Sequence, residues 1–334
     1  ADTWSAAVRR APAHVRIRHL PHRVTAVSAE GEGFMVDGSP FDEVLVCTGH
    51  DHLHAGSLAY AASCVPVTGL YFGADLPSSA RRIGVRGAAL SFIDVCLLYG
   101  DTAETIYPVS RSGRFMEVKP PPETPLPEVS PRWRQACARI DNASELREIL
   151  IGAAGEFGDF STADLAAVID GQDFTGDAVA ELEASLRAAE GTGPLTPAAA
   201  VGAAFRGVFQ DCVDWHKAHG PMPGFRELSR TLERVAFGPP PVTARRLLEL
   251  IHSGVVNTDY LGTPGQIDAW REKGGVDLLI DATVAPQATP SPFHDVPGVV
   301  EIGRMNELSL PGHDSLNRLV HDDIPRWAEK VGNP

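Results

Sequence analysis

The sequence predicts an α/β fold with a parallel sheet and a large helical insert, on three observations. Arg82-Ile83-Gly84-Val85-Arg86 reads as a buried strand, Gly87-Ala88-Ala89 as a glycine turn and Leu90-Ser91-Phe92-Ile93-Asp94 as a helix start, with a second strand over 105–109. Residues 132–253 carry helical periodicity and no convincing strand pattern. Gly275-Val276-Asp277-Leu278-Leu279-Ile280-Asp281-Ala282-Thr283 then returns to a buried strand.

The first of these has the form of a Rossmann-like dinucleotide-binding βαβ unit. Its glycine allows a tight turn and the helix N-terminus faces a pyrophosphate. The expected middle glycine is Ala89 and the third falls on Phe92, so an ordinary βα turn competes with this reading. The second strand decides between them. It ends at Ser110-Arg111-Ser112-Gly113-Arg114, where an acidic residue would suit the ribose of NAD and arginines suit a 2′-phosphate. Gly87, Ala88, Ala89 and Ser91 are therefore expected to hold the pyrophosphate. Ser110, Arg111 and Arg114 are expected on the 2′-phosphate, which favours NADP.

The 334 residues, 43% hydrophobic and 22% charged, are enough for one large core or two smaller ones. A net charge of −14 disfavours nucleic acid or an anionic membrane as partner. The five cysteines, at 47, 64, 96, 137 and 212, form no CxxC, so neither a zinc module nor a disulfide scaffold is indicated. No run of 18 apolar residues and no basic-then-apolar leader is found. A soluble, cytoplasmic protein is the expectation.

In chain order, residues 3–10 suit a helix, and Val15-Arg16-Ile17-Arg18-His19-Leu20 and Val24-Thr25-Ala26-Val27-Ser28 alternate as strands do. Glu30-Gly31-Glu32-Gly33 and Asp37-Gly38 are turn signals on either side of Phe34-Met35-Val36. Val44-Leu45-Val46-Cys47-Thr48-Gly49-His50 reads as a buried strand stopping at a glycine.

A meander feeding a Thr-Gly strand end, followed directly by a second nucleotide-binding βαβ, resembles the order of parts in two-dinucleotide flavoproteins. More narrowly, Arg86, Gly87, Leu90, Ser91, Phe92 and Asp94 fit the Arg-Gly-x-x-Leu-[Ser/Thr]-Phe-x-Asp motif of actinobacterial FAD/NAD(P)-binding proteins. The Ser-Arg-Ser-Gly-Arg run, Phe237-Gly238-Pro239-Pro240 and the tail Asp314-Ser315-Leu316-Asn317-Arg318 are similar as well. The resemblance implies a Rossmann-like two-dinucleotide-binding flavoprotein fold, present in part. Residues 1–74 would be the remainder of an FAD-type domain, 75–118 the NADP-binding βαβ unit, 119–275 a Pro-rich linker and helical insert, and 276–334 the return to the core and tail. It implies an FAD- and NADPH-dependent oxidoreductase of monooxygenase type. Thr48, Gly49 and His50 would line the cleft between the nucleotides, with Asp314, Asn317 and Arg318 near the flavin. Family members open with a Gly-x-Gly-x-x-Gly loop that this sequence does not contain. Three alternatives follow: a fragment, a split enzyme with a second chain supplying the FAD fingerprint, or a non-catalytic protein, either a nucleotide-binding subunit or a scaffold that has lost its flavin.

The run 119–131 is too rich in proline for a helix or a central strand. Helices are expected over 132–153, 162–170, 176–190, 197–219, 224–236 and 243–253, capped by Thr162, Asp164 and Thr196 and packed as a layer of their own. His50-Asp51-His52-Leu53-His54 is read as a loop and not a metal site, for want of a second ligand cluster. His216-Lys217-Ala218-His219 before Gly220 is read as a helix end.

Overall fold

The computed structural model describes residues 2–47, 56–70, 76–124, 127–283, 292–303, 311–312, 320 and 322–332. It divides into two compact units, one of 1–47 with 290–301 and the other of 48–289 with 302–333.

The smaller unit holds helix α1 (Asp2–Arg10) and an antiparallel meander of β1 (Val27–Glu30), β2 (Gly33–Val36) and β3 (Ser39–Phe41). Gly31-Glu32 and Asp37-Gly38 are the two connections. Asp37 has φ 45° and Gly38 φ 81°, the left-handed pair that a two-residue hairpin turn requires. The Asp37 carboxylate accepts from the N–H groups of Thr25 and Ala26 at 3.0 and 2.9 Å, and these bonds hold its pKa below the ordinary value. The Thr-Gly strand is realised as β4 (Leu45–Val46), parallel to β9 (Val300–Glu301). The strand expected at 15–20 is not formed. Val15, Ile17 and Leu20 are exposed there, and alternation yields a strand only where a sheet face covers its apolar side.

The larger unit is built on a four-stranded sheet of β5 (Val67–Gly69), β6 (Arg82–Arg86), β7 (Thr105–Val109) and β8 (Leu278–Asp281). Its order is β5-β8-β6-β7 and every pairing is parallel. Helix α2 (Leu90–Tyr99) joins β6 to β7, completing the expected βαβ unit. Alternate residues of β6 serve opposite faces. Ile83 and Val85 share a core with Phe92, Val95 and Cys96 of α2, whereas Gly84 lies under Trp270, where a Cβ would meet the indole at 2.8 Å.

Between β7 and β8 the regular elements among the described residues are helices: α3 (Pro131–Cys137), α4 (Ala143–Ala154), α5 (Thr162–Ile169), α6 (Ala178–Ala189), α7 (Pro197–His219), α8 (Phe225–Ala236) and α9 (Pro241–His252), which fall in the expected runs, and α10 (Gln266–Lys273), which does not. The run expected at 132–153 is broken by Asn142, whose side chain caps Ser144 and Glu145 at 3.0 and 3.2 Å. Thr196 caps α7 through the N–H of Ala199, and Ser161, one residue before the expected Thr162, caps α5 through that of Asp164. The helix end at His219 is as expected, with Gly220 at φ 83°.

The helices do not form one layer. Helices α3, α4, α5, α7 and α8 share a core around Leu146, Leu150, Phe205 and Leu232. Helices α6 and α9 instead place Leu182, Leu186, Ala244 and Leu247 in the core of the sheet. The reason is visible in their spacing, since Leu182, Leu186 and Ala189 put one narrow apolar stripe on α6. The Pro-rich run hugs this surface, with Val129 buried against Gly207. The chain closes with α11 (Asp323–Gly332).

Candidate nucleotide site

Strand register brings Gly69, Asp281, Arg86 and Val109 level at the carboxyl edge of the larger sheet. Strand β6 has β7 on one side, reached through α2, and β8 on the other, reached only after the helices. The chain therefore reverses its winding direction beside β6, and in parallel α/β sheets such a switch point opens a ligand crevice.

Gly87 makes the close approach there. Its φ is 122°, and a Cβ would stand 3.2 Å from the backbone oxygen of Ala282 at the end of β8. Its N–H donates to Val109 at 2.8 Å, and that of Ala282 donates to Arg86 at 3.0 Å. Ala88 is buried, Ala89 exposed and Ser91 half-buried. Ala89 is the N-cap of α2 and has no side chain able to accept a hydrogen bond; the N–H of Phe92 turns back to the Ala89 carbonyl at 3.0 Å, and those of Leu90 and Ser91 are left for water or an anion. These residues fit a pyrophosphate.

The tip of β7 lies at the same edge. The Ser110 hydroxyl donates to the carbonyl of Leu261 at 3.3 Å and accepts from the N–H of Gly113 at 3.1 Å. Arg111 is exposed, and no hydrogen bond or ion pair engages it among the described residues. Thr48, Gly49, His50, Asp314, Asn317 and Arg318, and the histidines at 52 and 54, lie outside the described residues.

Arg114 corrects the reading of the tip. It is only 7% exposed, forks onto Asp173 at 2.5 and 2.8 Å and donates through Nε to Glu181 at 3.1 Å. Arg234 joins the cluster, 3.5 Å from Asp173 and 3.7 Å from Glu117. The positive charge of Arg114 is neutralised inside the protein, which leaves Arg111 as the cation of the tip facing solvent.

Burial works against the charge on Asp173, but the Arg114 fork and the nearby Arg234 outweigh it and hold the carboxyl below its usual range. For Glu117 burial wins over the Ser185 hydroxyl, Arg234 and Arg114, and its pKa is raised. The folded protein thus holds the Glu117 proton to higher pH than the unfolded chain does. The stability linked to this group is full below the unfolded value of about 4.3 and is lost as pH rises through the folded value. Glu117→Gln removes that loss. The variant is expected to gain on the wild type in unfolding midpoint as pH rises from about 4 towards neutrality; a difference independent of pH would show that Glu117 ionises as freely folded as unfolded.

A second pair was not legible in the sequence. Asp281 is buried at the end of β8, where it accepts from the N–H of Leu58 at 2.8 Å and the hydroxyl of Thr283 at 2.6 Å. Arg86 stands 3.4 Å from it. The only signal was an acidic residue at the end of an apolar run. Asp281 ties β8 to the segment before β5 and holds Arg86 beside the glycine turn. No family model and no curated protein matches the chain. The class that the fold defines is a mixed α/β protein with parallel sheets. Among the described residues no helix is long and apolar enough to cross a membrane.

Proposed function

We propose that the larger unit binds a dinucleotide across the carboxyl ends of β6, β7 and β8, and that the chain belongs to an FAD- and NADPH-dependent oxidoreductase of monooxygenase type acting on a small molecule. One observation carries the nucleotide part: a glycine turn with the conformation and clearance only glycine allows, at the switch point, opening into a helix whose first turn is uncapped. The flavin part rests on the resemblance of the Thr48-Gly49 and Asp314–Arg318 motifs. Bound NADPH would supply a hydride. The chain's own part is to hold the pyrophosphate on the Gly87–Ser91 turn, with Arg111 at the 2′-phosphate.

Titration of NADPH and NADH by calorimetry tests this without requiring turnover. With Arg114 committed elsewhere, Arg111 alone discriminates. One charge-assisted contact of about 1.5 kcal/mol corresponds to a preference of roughly 10-fold for NADPH. Arg111→Ala is expected to weaken NADPH about 10-fold and to leave NADH unchanged. A wild type indifferent to the 2′-phosphate would remove the NADP assignment. A colourless protein that binds neither nucleotide would support the scaffold reading.

A further inference from the structure

At the tip that carries Arg111 the helical stretch contributes an exposed aromatic residue. Phe174, in the segment between α5 and α6, is 40% exposed. One side of its ring is occupied, with the Arg114 guanidinium carbon 5.4 Å from the centroid. Its edge abuts the tip of β7, since a Cβ on Gly113 would lie 3.6 Å from Phe174 Cε1. The backbone that carries it is tied to the tip through its neighbour Asp173, which receives the fork from Arg114.

The backbone of the tip packs closely beside this ring. Gly113, at φ 67°, packs on Gly262, with a built Cβ only 3.4 Å from the Gly262 Cα. The exposed aromatic ring thus sits against a glycine of the β7 tip, two residues from the ribose-side arginine.

From this we infer that Phe174 is the stacking platform for the adenine base. The inference rests on the nucleotide reading above and adds to it the residue that receives the base. An adenine attached to a ribose at Arg111 would reach the strand tip, where the exposed part of the Phe174 ring offers it a π-face. Because Phe174 is already oriented by its neighbours, little freedom is lost on stacking. The buried arginine cluster then has a functional consequence, since it fixes both the tip of β7 and the segment that carries Phe174.

The test uses adenosine 2′,5′-bisphosphate, which carries the base, the ribose and the 2′-phosphate but no nicotinamide, titrated calorimetrically into the full chain. Phe174→Ala is expected to weaken binding by about 10-fold, within the range found for base-aromatic stacks. Phe174→Tyr should bind within about 2-fold of wild type, and Phe174→Leu should fall close to the alanine variant, since stacking needs a π-face. Wild-type affinity in Phe174→Ala or Phe174→Leu overturns the platform and leaves the nucleotide site standing. A wild type that does not bind the bisphosphate overturns both.

Discussion

Arg114→Ala is expected to lower the stability of the protein by about 3–5 kcal/mol, the usual consequence of deleting one partner of a buried ion pair. The substitution leaves Asp173, Glu181 and Glu117 grouped around Arg234 alone, and Arg234 Nη2 itself makes no hydrogen bond among the described residues. Those carboxylates must then stay charged with little compensation, take up protons or draw water inward, and each course costs stability. Arg114→Lys keeps the charge but not the fork, since an ammonium cannot present two parallel donors to Asp173. An intermediate loss is expected from it. Urea unfolding of the three proteins reads these differences directly. The ratio of NADPH to NADH affinity separates the two roles that Arg114 could have. An internal tie predicts that any change in the ratio comes with a loss of stability, and a selective loss of NADPH with wild-type stability would return Arg114 to the phosphate.

The contrast between Arg111 and Arg114 shows what was legible in the sequence. Strands β6 and β7 and most of the helices could be placed because their signals are local: an apolar run, a glycine turn, a polar cap, a stripe at helical spacing. The two arginines differ in nothing local. What distinguishes them is a carboxylate 59 residues onward for Arg114, with a second at 67, and no pattern in the strand tip announces either. Arg86 and Asp281 likewise meet across 195 residues, and Phe174 meets Gly113 of the β7 tip from the segment before α6. Conversely, 15–20 carries a good local strand pattern, and its apolar residues have no sheet face to cover them among the described residues. The site's frame was therefore legible, and its charge balance was not.

Gly87→Val should have the largest effect on binding, with a loss of NADPH affinity of roughly 100-fold, or about 2.7 kcal/mol. At φ 122° the backbone lies where side-chain-bearing residues are rarely found, and forcing one there costs of order 1–3 kcal/mol. A valine adds a β-branched side chain with restricted rotamers, and its Cβ would lie 3.2 Å from the Ala282 oxygen. That neighbour is backbone at the end of a central strand, so it cannot rotate aside. Relief requires the turn to move, which pulls on the Gly87 to Val109 and Ala282 to Arg86 hydrogen bonds and turns the first N–H groups of α2 away from the crevice. Gly87→Ala meets the same backbone strain without the added bulk, and a smaller loss is expected. Unfolding midpoints measured alongside the titrations separate a displaced turn from a collapsed fold, because a variant that remains folded but no longer binds places the defect at the crevice. Tight NADPH binding by a folded Gly87→Val protein would falsify the assignment of the pyrophosphate to this turn.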